Sequence, residues 1–116
     1  MIWDWSFAFE IFPELLKGLV VTLQAVAGGT VLALVLGLVW TLARSSAARW
    51  LSWPTALLVE LVRSTPLLVQ IYFLFYVLPA TGVVLSPMVA GILALGLHYS
   101  CYMSEVYRAG IAAVPL

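Results

Sequence analysis

From Gly18 to Ala43 the chain runs 26 residues without a charged side chain, held between Lys17 and Arg44. A helix of that length is about 39 Å long, enough to cross a bilayer with tilt to spare. A second apolar run extends from Trp53 to Pro79, interrupted by a polar motif between Glu60 and Gln70. A third begins at Met88, behind a proline placed where a helix can start, and ends near Tyr107. The pattern predicts an all-α, polytopic helical membrane protein with three transmembrane helices, at about 18–43, 54–79 and 88–107. Residues 6–17 mix aromatics with sparse charge and suit a short helix lying in the membrane interface.

Composition agrees with the pattern. Of 116 residues 65% are hydrophobic and 9% charged, and the mean hydropathy is +1.14, outside the range of soluble domains. Five basic residues balance five acidic ones, which excludes the basic patch a nucleic-acid partner would need. A lone Cys101 excludes an internal disulfide, and with His98 the only histidine no metal site is expected. The acidic, aromatic start (Trp3, Asp4, Trp5, Glu10) has the wrong polarity for a secretory signal.

Orientation follows from the arginines. Arg44 and Arg49 lie in a loop without acids, which puts that loop in the cytoplasm, the N-terminus outside and Arg108 back on the cytoplasmic side. Trp3, Trp5, Trp50 and Trp53 fall near the interfaces this implies.

Ala25, Gly29, Ala33 and Gly37 recur every four residues and leave one face of the first span nearly free of side chains. Gly96, Ser100 and Ser104 form a shorter ridge in the third. Small residues let membrane helices approach closely, so these ridges predict tight helix packing.

The chemistry concentrates at two places. Glu60 and Arg63 stand three residues apart inside hydrocarbon, where charges are expensive and line a path or meet a partner. Pro66 removes a backbone donor and disfavours helix at Thr65, so the span should kink or break there, with Gln70 available to bond what is freed. Such breaks serve transporters as binding sites, but a harmless kink fits equally. In the third span His98, Tyr102 and Glu105 share one face and suit a polar solute, a proton relay or ordinary interhelical bonding. Arg108, three residues on, can neutralise Glu105. No phosphate-binding loop, nucleophile elbow or zinc helix occurs, so no catalytic residue is assigned; a serine hydrolase built on Ser100 or Ser104 is the remote alternative.

The strings Leu15–Gln24, Glu60–Gln70 with its Arg63-Ser64-Thr65-Pro66-Leu67-Leu68-Val69-Gln70 core, and Tyr102–Ile111 with Val114-Pro115 resemble permease subunits of ABC importers for polar amino acids, the histidine/glutamine type. The resemblance covers nearly the whole chain. The Trp3–Phe7 start is also similar to the subunit that imports ectoine and hydroxyectoine. The resemblance implies a fold of about five transmembrane helices in a bacterial inner membrane. It also implies a second permease subunit, two cytoplasmic ATPases that use ATP and Mg, and an extracytoplasmic solute-binding protein; no cofactor belongs to this chain. Relatives continue past Pro115 with a coupling helix that docks on the ATPase, so the chain is expected to be C-terminally truncated. On this reading Glu60, Arg63, Thr65, Pro66, Gln70, His98 and Tyr102 line the solute path or gate it. Glu105, Arg108 and Gly110 mark the ATPase-proximal end. The alternative is a small non-transporting membrane protein that packs on partner helices.

Overall fold

A computed structural model describes residues 2–115, and its regular structure is helical. Four α-helices follow in order: α1 Trp5–Arg44, α2 Arg49–Ser64, α3 Leu67–Tyr72 and α4 Pro87–Ala113. A π-helical turn at Phe73–Val77 and a 3₁₀ turn at Leu78–Thr81 extend α3. Gly82, at φ +94°, ends this segment in the left-handed region that glycine enters without strain.

The expected interfacial helix at 6–17 is not a separate element. It is the first part of α1, which runs unbroken for 40 residues. Asp4 starts it, its carboxylate accepting from the Ser6 and Phe7 amides at 2.9 and 3.3 Å. Pro13 lies inside the helix and removes one hydrogen bond from it, which so long a helix absorbs.

α1 and α4 form the body of the fold and run parallel, Gly29 lying against Leu95 and Gly37 against Met103. The ridge expected on α1 is buried at Gly29, Ala33 and Gly37 and continues to Thr41, whereas Ala25 is only half-buried at its edge. A Cβ at Gly37 would sit 2.8 Å from Met103 Cβ and 3.0 Å from the Ser100 carbonyl oxygen. On α4, Ala90, Ala94, Gly96, Ser100, Cys101 and Ser104 are buried, and a Cβ at Gly96 would meet Leu32. Backbone contact this close supplies the dispersion energy that a hydrophobic drive cannot supply in lipid. Polar links reinforce it: Trp40 Nε1 donates to Ser100 Oγ at 3.0 Å, and the Tyr107 hydroxyl to the Leu34 carbonyl at 2.9 Å.

The second expected span, 54–79, is not one straight crossing. The chain bends by 101° between α2 and the segment Leu67–Thr81. Arg44 at the end of α1 and Arg63 near the end of α2 reach the same oxygen of Glu105. A 16-residue helix is about 24 Å long, so α2 must run largely across the ends of α1 and α4 rather than up beside them. By length and apolarity α1 could cross a membrane by itself, and α2 with Leu67–Thr81 only if the bent pair is one span. α4, expected as the 88–107 span, has 27 residues but does not meet the same test, because His98, Tyr99, Ser100 and Tyr102 dilute its hydrocarbon.

Candidate functional site: the α2–α3 break on the polar face of α4

Pro66 creates the site. Thr65, the residue before it, is extended (φ −92°, ψ 132°), so α2 ends there as the steric clash with a proline ring requires. Side chains supply donors to the carbonyls around the end of α2. Ser64 Oγ donates to the Glu60 carbonyl and Thr65 Oγ1 to that of Leu61, both at 2.8 Å. The Val62 carbonyl, which a residue with an N–H at position 66 would have bonded, accepts instead from the Thr65 amide at 3.2 Å and from Gln70 Nε2 at 3.1 Å. The same Gln70 nitrogen lies 3.1 Å from the Thr65 carbonyl oxygen. Gln70, one turn into α3, thus reaches back and closes the break from the far side.

The break is docked on α4. Gln70 Nε2 lies 2.9 Å from Nδ1 of His98, whose ring is buried and packs edge-on against Tyr99, with the Tyr102 ring 5.2 Å away. The Tyr102 hydroxyl donates to the Arg63 carbonyl at 3.3 Å, and the Arg63 guanidinium stands 5.3 Å from the centre of the Tyr102 ring, a cation–π distance. His98, Tyr102 and Glu105 do share one face of α4, and that face holds the end of α2 and the start of α3.

Charge gathers at its lower end. Glu105 is bonded to Arg44 of α1 and to Arg108 of its own helix (3.1 Å), and lies 3.7 Å from Arg63 of α2. One carboxylate therefore ties three helices. Arg63 also meets Glu60 at 3.4 Å, but the Glu60 side chain is 68% exposed, which leaves that pair weak. Among the described residues, two buried side-chain atoms have no partner, Arg63 Nε and Gln70 Oε1. Beside the break lies a groove of about 480 Å³, walled by Leu61, Val69, Phe73, Leu74 and Leu97 with Thr65 and Gln70 in its lining.

The residues singled out from sequence thus come together, except Gly110, which stands exposed near the end of α4 with open space around it. The hydrolase alternative finds no support: the Ser100 and Ser104 hydroxyls donate to the Leu97 and Cys101 carbonyls of their own helix, and neither bonds His98. Among the described residues no cluster of metal-ligating side chains is present. Sequence reasoning passed over Ser64, Trp40 and Tyr107, and took Arg44 for an orientation marker alone. An arginine closing a 26-residue apolar run, opposite an acid closing another, was the available signal.

No protein-family model matches the sequence. The chain is 50% identical over 109 residues to a probable amino-acid ABC transporter permease of Sinorhizobium fredii, covering 94% of this chain and 47% of the relative. It is 36% identical over 112 residues to an L-cystine transport system permease of Bacillus subtilis, covering 96% and 48% respectively. A crystal structure of an amino acid ABC transporter with histidines superposes with a TM-score of 0.93 at 30% identity, over 99% of this chain and 54% of that one. The chain spans about half the length of the relatives it matches. Across that half, in sequence and in fold, it is similar to the permease subunits of amino-acid ABC transporters.

Proposed function

We propose that this chain is part of the permease of an ATP-driven importer for a small polar or zwitterionic solute, of the amino-acid or ectoine-like compatible-solute class, working by alternating access. The observation that carries the reading is the agreement of 94% of the chain, at 50% identity, with an amino-acid permease. A helix broken beside a polar helix face is a feature that transporters use. A second permease subunit, cytoplasmic ATPases holding ATP and Mg, and an extracytoplasmic binding protein complete the machine. ATP hydrolysis belongs to the ATPase and not to this chain. The N-terminus lies outside, and α4 spans beside α1 despite its polar residues, because His98 and Ser100 are buried against protein. Glu105, Arg108 and Gly110 end at the cytoplasmic, ATPase-facing side.

The test is reconstitution of the permease with its ATPase and binding protein in nanodiscs. Hydrolysis should rise severalfold with one member of a panel of amino acids and ectoine. Failure to co-purify with any ATPase encoded nearby would sink the importer reading. Glu60 and Arg63 are read here as architecture. Glu60→Gln and Arg63→Gln separate the readings: architecture predicts KM for the solute unchanged in both, and a raised KM in a folded variant would mean direct solute contact.

A further inference from the structure

We infer that His98 is a positioning residue for the break: its Nδ1 accepts from the Gln70 amide and fixes the orientation in which that amide holds α2 and α3 together. The inference rests on the importer reading for its effect on transport, but not for its geometry.

Gln70 Nε2 faces three atoms: the Val62 and Thr65 carbonyl oxygens at 3.1 Å each and His98 Nδ1 at 2.9 Å. Two of the three are carbonyls, which only accept. Turning the amide over would set Oε1 against both oxygens and leave the Val62 and Thr65 carbonyls without the amide donor. The nitrogen therefore has to face this way, and its third neighbour has to be an acceptor. That assigns His98 the neutral form with its proton on Nε2. Two amide hydrogens serve three acceptors, so one is shared, an arrangement common at helix ends. The other end of the amide gives no help, because Gln70 Oε1 is buried without a partner. The imidazole thus does what a second amide contact would otherwise do.

This bond is a direct polar link between α3 and α4, and it holds the break in the arrangement from which the transport states exchange. His98 should set how fast the states exchange, while solute affinity stays as it is. The readout is hydrolysis by the assembled transporter in nanodiscs with its binding protein, stimulated by L-glutamine, L-arginine or L-cystine as probes. His98→Ala should lower kcat about tenfold, the equivalent of one buried bond, with KM unchanged. His98→Asn places an oxygen near the position of Nδ1 and should recover kcat to within about twofold; His98→Gln, whose acceptor lies where Nε2 was, should not. A rise in KM with kcat unchanged would overturn the assignment in favour of solute contact. So would an asparagine variant no better than the alanine one.

A second measurement does not depend on transport or on the variants' activity. The ¹⁵N-histidine spectrum of the transporter, minus that of His98→Asn, isolates one ring and should show a bare Nδ1 and a protonated Nε2. The other tautomer, or an imidazolium, at neutral pH refutes the clamp. A wild-type transporter without solute-driven hydrolysis would sink the importer reading and leave this result standing.

Discussion

The α1–α4 interface and the α2–α3 break are held to the same helix by opposite means. Along α1, Gly29, Ala33 and Gly37 bring backbone to backbone, and the attraction is the sum of many small contacts. At the break, a proline removes the regular bonding and single side chains replace it: Ser64, Thr65, Gln70, Tyr102 and Arg63, each with one to three partners. A packed ridge has one good arrangement and resists sliding. A junction held by a few directional bonds can be released one bond at a time. The same chain thus carries a close-packed post and an arm held by directional bonds, joined through α4.

The largest effect should come from spoiling the post. Gly37→Leu drives a side chain into Met103 and the Ser100 carbonyl, which cannot step aside without parting the helices. A loss of about 3 kcal/mol or more is expected. Reversible unfolding in mixed micelles measures it, and a cysteine cross-link between α1 and α4 should fade in parallel. An unchanged unfolding midpoint would mean the helices are held by something other than this contact.

Next comes Glu105→Gln, which removes the charge shared by Arg44, Arg63 and Arg108. Arg44 is the member at stake, since its side chain is only 16% exposed and the variant leaves it without a counter-charge. Breaking a buried pair costs about 3–5 kcal/mol, and the one-third exposure of Glu105 lowers the expectation to about 2 kcal/mol. The effect should change little between low and moderate salt, because water reaches the Arg44 end poorly.

What the sequence made legible divides along the same line. The break at Pro66 could be read because a missing N–H and a clashing ring act on immediate neighbours. The ridge could be read because a four-residue period is a local property, although the register that ended it at Thr41 and left Ala25 at the margin depended on where α4 lies. The face of His98, Tyr102 and Glu105 was legible as a face, but not what it meets. Trp40 with Ser100, and Arg44 with Glu105, pair across 60 and 61 residues, a separation that no period in the sequence encodes. The crossing course of α2 was hidden for the same reason, since an apolar run reads alike whether it rises through a membrane or lies across the ends of other helices. The short helix expected at 6–17 misled in the other direction, since neither its sparse charges nor the bond lost at Pro13 ends a helix that runs for 40 residues.

The smallest effect should be at Glu60, the residue whose charge first marked the motif. Glu60 and Arg63 look like equal partners in the sequence, but their surroundings are unequal. Arg63 has the Tyr102 ring and Glu105 besides Glu60, whereas Glu60's side chain has Arg63 alone at 3.4 Å, on a largely exposed side. Glu60→Gln should therefore cost less than about 0.5 kcal/mol, and raised salt should erase it. Arg63→Gln should cost several times more under the same conditions, since it also empties the place between Tyr102 and Glu105. Denaturation of the two variants at low and high salt reads the asymmetry directly. Equal losses would mean that the pair itself holds the end of α2, and that the contacts with α4 are incidental.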